Sequence, residues 1–262
     1  MIGRGEITKQ AQRDGVDAQT VERDYILTHV AYDIAAIAGQ RMILKGGTNL
    51  RLAHYRDYRY SADLDYSLVN ITMSEALQLI ADALDQCQQR TELTTLTLDI
   101  ETAPPRINYV GPLAAKPRTV KLDLADDELV IEHRTLPLVV AWRDLPDSAS
   151  IIGYSLNETC AEKLRCVIQR RQCRDVYDLW TLLDDRGGAE ILNAWHIFER
   201  KATHKNIDPH AFFQRWERSV VWYHDRWDEE LANYLGTDVI DFDTASRAID
   251  KHLTKLREYL AR

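Results

Sequence analysis

No apolar run in this 262-residue sequence approaches the roughly 20 residues needed to cross a bilayer; the longest stretches, such as Leu136 to Trp142, fall far short. The opening Met1-Ile-Gly-Arg-Gly-Glu has no apolar signal core, so the expected compartment is the cytoplasm, with no membrane partner. Cysteine is scarce. Cys87, Cys160, Cys166 and Cys173 form no CxxC pair and have no histidine at metal-finger spacing, which excludes a zinc finger or a disulfide framework and predicts reduced, partly buried thiols. Basic charge is also in deficit: 33 Lys and Arg stand against 41 Asp and Glu, a net charge of -8. Nucleic acid can therefore be held only by a local patch, not by the molecule as a whole. Repeats and low-complexity segments are absent. What is present, 45% hydrophobic and 28% charged residues over this length, suffices for a sizeable core in two packed parts.

Patterning changes along the chain. Leu27, Val30, Ile34 and Ile37 fall at helical spacing ahead of Gly39, predicting an amphipathic helix over about 18–38. Short β-type runs follow: Met42 to Leu44, Leu64 to Val69, Leu93 to Ile100, Arg106 to Val110, Thr119 to Leu124, Leu136 to Ala141 and Ile151 to Tyr154. A helical stretch, Ser74 to Gln88, interrupts them, so this part is mixed α/β and not a sandwich. Beyond Leu156 the chain reads as helix. Asn157 is a candidate cap for a helix through Lys163 and Val167, and Arg174 to Asp185 stops at Gly187-Gly188. Asp208-Pro209 reads as a cap followed by proline at the first helical position, and Ile249, Leu253, Leu256 and Leu260 mark a last helix after Thr244. Five of the six tryptophans lie in this second part. The expected division is a helical segment over 1–40 packed on the core, an α/β domain over 41–150 and a helical domain over 151–262.

The stretch that carries chemistry is Leu44-Lys-Gly-Gly-Thr-Asn-Leu-Arg-Leu followed by Arg59-Tyr-Ser-Ala-Asp-Leu-Asp-Tyr-Ser. Alternate side chains of a strand share a face, so Asp63 and Asp65 point the same way and repel unless a cation lies between them. Paired carboxylates suit Mg²⁺, which commonly takes one or two of them and completes its octahedron with water and substrate phosphate. Upstream, Gly46-Gly47-Thr48 joins an apolar strand to a helical run, where backbone amides can approach an anion closely. Alone, each half is weak; fifteen residues apart, they favour a nucleoside triphosphate site.

At these residues the sequence resembles a known family. Lys45-Gly-Gly-Thr, Arg59-Tyr-Ser-Ala-Asp-Leu-Asp-Tyr-Ser, Glu162-Lys163 and Arg174-Asp-Val-Tyr-Asp-Leu-Trp are similar, in the same order, to the motifs of AbiEii/AbiGii-type toxins. Those are nucleotidyltransferase-like proteins of type IV-like toxin–antitoxin and phage-defence systems. The likeness covers about residues 20 to 180. Tyr60, Tyr66 and Val176 depart mildly from the usual pattern, and the last eighty residues carry no matching motif. The resemblance implies an α/β (α+β) nucleotidyltransferase fold, a mixed sheet with flanking helices, followed by a helical domain. It implies that Asp63 and Asp65 hold Mg²⁺ or Mn²⁺, that Lys45, Gly46, Gly47, Thr48 and Ser61 form the nucleotide-binding group, and that Lys163 and Asp175 complete the catalytic set. Lys163 could offset charge on a transferring nucleotidyl group, with a carboxylate orienting it. Asp178 competes for that role, though pairing with Arg174 is the expectation for it. Asp123, on the alternating Val120-Lys-Leu-Asp-Leu, is a candidate third metal ligand, against the reading of an exposed residue ahead of the acidic turn Asp126, Asp127 and Glu128.

The implied reaction is a two-metal in-line transfer of a nucleotide from an NTP to an acceptor hydroxyl. Two basic clusters run against the acidic average: Arg41, Lys45, Arg51, Arg56 and Arg59, and Lys163 to Arg174. Arg170, Arg171 and Arg174 are the candidate RNA contacts, and the resemblance points to the 3′ end of tRNA as acceptor, with translation blocked as the result. A cognate antitoxin is the expected protein partner; in some relatives it phosphorylates a hydroxyl such as Ser61 or Thr48. The alternatives are transfer to a protein or small-molecule hydroxyl, or a toxin module that binds nucleotide or RNA without turnover.

Overall fold

The computed structural model describes residues 2–113, 116–140, 142–232, 235 and 240–262. They divide into two compact units. The first comprises 1–128 and 133–153; the second comprises 129–132 and 154–262. No helix among the described residues is long and apolar enough to cross a membrane.

The first unit is mixed α/β. Helices α1 (Arg4–Asp14) and α2 (Ala18–Ala38) lead into β1 (Met42–Lys45). A helical segment follows, α3 (Gly46–Asn49), continued by a wider turn over Leu50–His54. Then come β2 (Asp63–Leu68), α4 (Met73–Thr91), β3 (Thr95–Asp99), β4 (Arg106–Val110), β5 (Arg118–Ala125), β6 (His133–Pro137) and β7 (Ser150–Tyr154). Among the described residues the strands form one seven-stranded sheet in the order β3-β4-β5-β2-β1-β7-β6. β2 runs parallel to β5 and antiparallel to β1, while β1 is parallel to β7, so the sheet is mixed.

Alternation sorts its two faces. Met42, Leu44, Leu64, Tyr66, Leu68, Val120 and Leu122 enter one hydrophobic core with Leu27, Val30 and Ile34 of α2 and Ala76, Ile80 and Leu84 of α4. Residues of opposite parity, Lys45, Asp63, Asp65, Lys121 and Asp123, take the other face.

α2 departs from the amphipathic helix expected. It is capped by Asp17, which accepts from Gln19 N, and stopped at Gly39 with φ 58°, yet it is buried around most of its circumference. Its buried carboxylates each meet an arginine: Glu22 with Arg118 at 2.9 Å, Asp24 with Arg51 at 2.5 Å and Asp33 with Arg90 at 2.5 Å. Without those partners the charges could not be taken from water. The run from Leu136 is corrected too. β6 ends at Pro137, which has no amide to continue a ladder, and the next amides, Leu138 and Val139, donate to Ala149 and Leu52. Ala141, at the end of that run, lies outside the described residues.

The second unit holds α5 (Leu156–Gln169), α6 (Cys173–Trp180) with a wide turn over Thr181–Asp185, α7 (Ile191–His204), α8 (Ala211–Leu231) and α9 (Phe242–Leu260). Trp195, Phe198, Phe212, Trp216, Tyr223 and Trp227 are buried among these helices. The cap of α5 is Ser155, which accepts from Glu158 N at 3.1 Å; Asn157 lies inside the first turn and accepts from Glu190 N. α8 starts at Ala211, two residues beyond the expected start, because Asp208 accepts from His210 N and holds Pro209 in a preceding turn. Residues 129–132 join this unit through buried Glu158, which accepts from the amides of Ile131 and Glu132 and from Lys201 Nζ. All four cysteines are free thiols, and burial pushes those of Cys87 and Cys160 up to about 12, so they stay protonated.

Candidate active site

The first set of candidate residues surrounds the strand–turn–helix β1–α3 and the start of β2. Lys45 is extended, and Gly46 then takes φ 72°, a left-handed turn that glycine adopts without penalty. The turn brings Gly46 against Asp65: a Cβ at Gly46 would lie 2.7 Å from Asp65 Oδ2. At Gly47 a Cβ would meet the buried Arg59 guanidinium at 2.7 Å. Gly46 is thus required by its backbone conformation, and at Gly47 a side chain would have to displace the Arg59 guanidinium. Thr48 is buried, and its Oγ1 donates to the Asp63 carbonyl at 2.6 Å, pinning the start of β2 to the turn. Ser61, two residues ahead of Asp63, is partly exposed.

Register does the rest. Asp65 pairs with Lys45 on one side and with Asp123 on the other, and Asp63 pairs with Lys121. Three aspartates therefore gather on one face of adjacent strands, with Lys121 beside them. Lys121 Nζ lies 3.0 Å from Asp123 Oδ2, and this hydrogen bond raises its affinity for its proton against the cost of partial burial. The charges of Asp123, Asp63 and Asp65 add to that effect. The lysine is a cation drawn by the field that a metal would feel.

The donor set therefore fits Mg²⁺ or Mn²⁺: hard carboxylate oxygens, partly exposed, at the mouth of a glycine turn. Among the described residues no three His, Cys, Asp or Glu side chains converge into a ready cage. The fit is to a cation held by one or two carboxylates and completed by water and phosphate, with Asp123 engaged by Lys121. Lys45 meets Glu128 at 2.5 Å, and Ser67 Oγ donates to the same carboxylate oxygen at 2.6 Å. Glu128 is thus half of a buried ion pair, not a solvated end of the acidic turn.

The second set lies in the helical unit and is buried. Lys163 Nζ is 2.8 Å from Asp175 Oδ1 and 2.6 Å from Asp178 Oδ2. One turn of α6 turns both aspartates inward to Lys163, and Arg174 Nε donates to Gln172. Arg170 grips Asp175 as a fork, Nε to Oδ2 at 2.9 Å and Nη2 to Oδ1 at 3.2 Å. Burial opposes ionisation of Asp175, but Lys163 and Arg170 outweigh it and hold the carboxyl below the usual range.

The basic cluster over 41–60 is not a patch once folded. Arg51 is buried on Asp24, Lys45 meets Glu128, and Arg41 donates to the Ala38 and Ile37 carbonyls at the end of α2. In the second cluster Lys163 is buried and Arg165 pairs with Glu162, whereas Arg171 is exposed. Lys121 and Glu128 were absent from the candidate site residues read from sequence, and Arg59 was counted only in a motif and a basic cluster. The alternation of Lys121 with Asp123 was the available signal for the first; nothing local marked Glu128 as the partner of Lys45.

A family model described as nucleotidyl transferase AbiEii toxin, type IV toxin–antitoxin system, matches residues 31–248. No curated protein sequence is a significant match. Among solved structures, the chain is similar to the nucleotidyltransferase toxin MenT4 of Mycobacterium tuberculosis, with a TM-score of 0.68 at 16% identity over 96% of this chain and 88% of that one. It is also similar to JHP933 of Helicobacter pylori, with a TM-score of 0.58 at 15% identity over 94% of each chain. At these identities the structural likeness speaks for the fold, and it supports a nucleotidyltransferase-like one.

Proposed function

The chain belongs to the AbiEii nucleotidyltransferase toxin family of type IV toxin–antitoxin systems, and from this premise we propose that it moves a nucleotide from an NTP to an acceptor hydroxyl, with the 3′ end of tRNA as the acceptor. The observation that carries this reading is the gathering of Asp63, Asp65 and Asp123 on one sheet face beside the Gly46-Gly47-Thr48 turn. Bound at Asp63 and Asp65, Mg²⁺ or Mn²⁺ would supply charge neutralisation on the phosphates and a lowered pKa for the acceptor hydroxyl. The protein's own groups do the rest. Backbone amides of the glycine turn bind phosphate oxygens, and Thr48 keeps Asp63 in place through its carbonyl. Lys163 offsets charge on the transferring group, and Asp175 and Asp178 fix the direction of its ammonium. A cognate antitoxin is the proposed protein partner, and translation arrest the proposed outcome.

The test is direct. Purified protein is incubated with total RNA and each of the four α-labelled nucleotides, with Mg²⁺, Mn²⁺ or chelator, and the products are resolved on a denaturing gel. Label should enter the tRNA band with one preferred nucleotide and disappear with chelator. Label on a protein or a small molecule instead would keep the transferase and replace the acceptor; no labelled product under any condition would refute the enzymatic reading.

A further inference from the structure

Within the helical unit, the end of α5 and the first half of α8 border an open hollow of about 460 Å³. Val167, Ile168 and Ser219 are buried at it, while Arg170, Arg171, Arg215 and Arg218 are exposed around it. No described acidic side chain lines it. Arg218 and Ser219 lie three and four residues after Arg215, one turn further along α8, so all three reach the hollow. Arg215 Nη1 donates to the Ile168 carbonyl at 2.9 Å, which fixes the side chain and satisfies one of the last carbonyls of α5. Arg170 is held from the other side by its fork on Asp175. Arg170 has Asp175 as its counter-charge, but Arg171, Arg215 and Arg218 add three more positive charges at the hollow, which an anion there would offset; all are arginine, whose planar fork matches phosphate in two-point contact.

We propose that this hollow is a phosphodiester-binding site that grips the backbone of the RNA acceptor, with α8 supplying half of it. The inference rests on the RNA-acceptor reading above and gives a task to α8. Phosphate could come instead from the triphosphate of the nucleotide. The lining argues against that source: it offers no described carboxylate for the cation that accompanies a triphosphate and no described aromatic ring for a base, whereas a strand of phosphodiesters needs neither.

The experiment uses the full chain, a fluorescein-labelled tRNA transcript and fluorescence anisotropy at several salt concentrations. Arg215→Gln/Arg218→Gln should bind on the order of tenfold more weakly at low salt, with a log–log salt slope shallower by about 1.5. Arg218→Gln alone, which leaves the Arg215 hydrogen bond to α5 intact, should move half as far, and Arg200→Gln on α7 not at all. Unchanged affinity and slope in the double variant would overturn the site. Equilibrium dialysis with labelled ATP and no RNA separates the two sources: ATP binding should be the same in wild type and double variant, and a loss confined to ATP would overturn the RNA assignment. If wild type transfers no nucleotide yet binds tRNA through Arg215 and Arg218, the transferase reading fails and this one stands. If it binds no tRNA at all, this one fails whatever the transfer assay gives.

Discussion

The two sets of charged residues are built on opposite plans. On the sheet, three aspartates share a face with two lysines, one of them taken up by Glu128, and Asp123 keeps 48% of its side chain exposed. In the helices, Lys163 meets two aspartates that are 1% and 0% exposed, and an arginine completes the balance. The first arrangement is an excess of one sign left near water, which costs little to maintain and attracts a cation. The second is a compensated cluster taken out of water, which holds only while every member is present. Function and stability should therefore separate by unit: substitutions on the sheet face should silence the protein and leave it folded, and substitutions in the buried cluster should loosen it as well.

The largest expected effect tests the first half of that statement. Asp63→Asn and Asp65→Asn should each reduce nucleotide transfer on the order of a thousandfold, since the several kcal/mol supplied by a bound cation depends on its ligands. Their unfolding free energy in a urea titration should stay within about 0.5 kcal/mol of wild type. A large loss of stability here would dissolve the contrast. Lys163→Ala is the converse, leaving Asp175 and Asp178 buried without their ammonium, and should cost about 3–5 kcal/mol in the same titration; an unchanged midpoint would mean that water reaches the cluster.

pH should discriminate next. The folded Asp175 carboxyl lies below its unfolded value, so its contribution is complete above the unfolded pKa near 4 and is lost as pH falls through the folded value. Melting followed by tryptophan fluorescence, which reports mainly on the helical unit, should therefore drop as the medium is acidified below about pH 4. Asp175→Asn should show less of that drop. The smallest effect expected is that of Gly46→Ala, about 1–2 kcal/mol for a left-handed residue with a side chain. The same methyl would push on Asp65, so metal-dependent transfer should fall by more than the stability does; a loss no larger than the stability change would show that the glycine serves the turn alone.

Much of this was legible beforehand because it is local. A run of alternating residues places Asp63 and Asp65 on one face whatever surrounds them, and the glycine pair announces a turn that only glycine tolerates. α2 misled because helical spacing records where apolar residues lie, not that Glu22, Asp24 and Asp33 will be buried against arginines distant in sequence. Ser155 and Asn157 are equally good caps by type; which one serves depends on Glu190, 33 residues further on, claiming the asparagine. Likewise a helix surface bearing Lys163, Arg165, Arg170 and Arg171 looks uniform in sequence, and tertiary packing alone decides that the lysine turns inward while Arg171 stays in water. Arg215 and Arg218 were invisible for the same reason, being ordinary surface arginines until α8 is laid beside the end of α5.

Arg170 belongs to two neighbourhoods at once. Its guanidinium braces Asp175 and also stands at the edge of the arginine hollow. The fork uses Nε and Nη2, so a phosphate that drew the guanidinium outward would lengthen it and leave Asp175 to rely more heavily on Lys163. By thermodynamic reciprocity, whatever loosened that fork from the side of Lys163 would favour such a ligand by the same factor. Through one side chain, then, occupancy of an outer surface would be felt at a buried lysine.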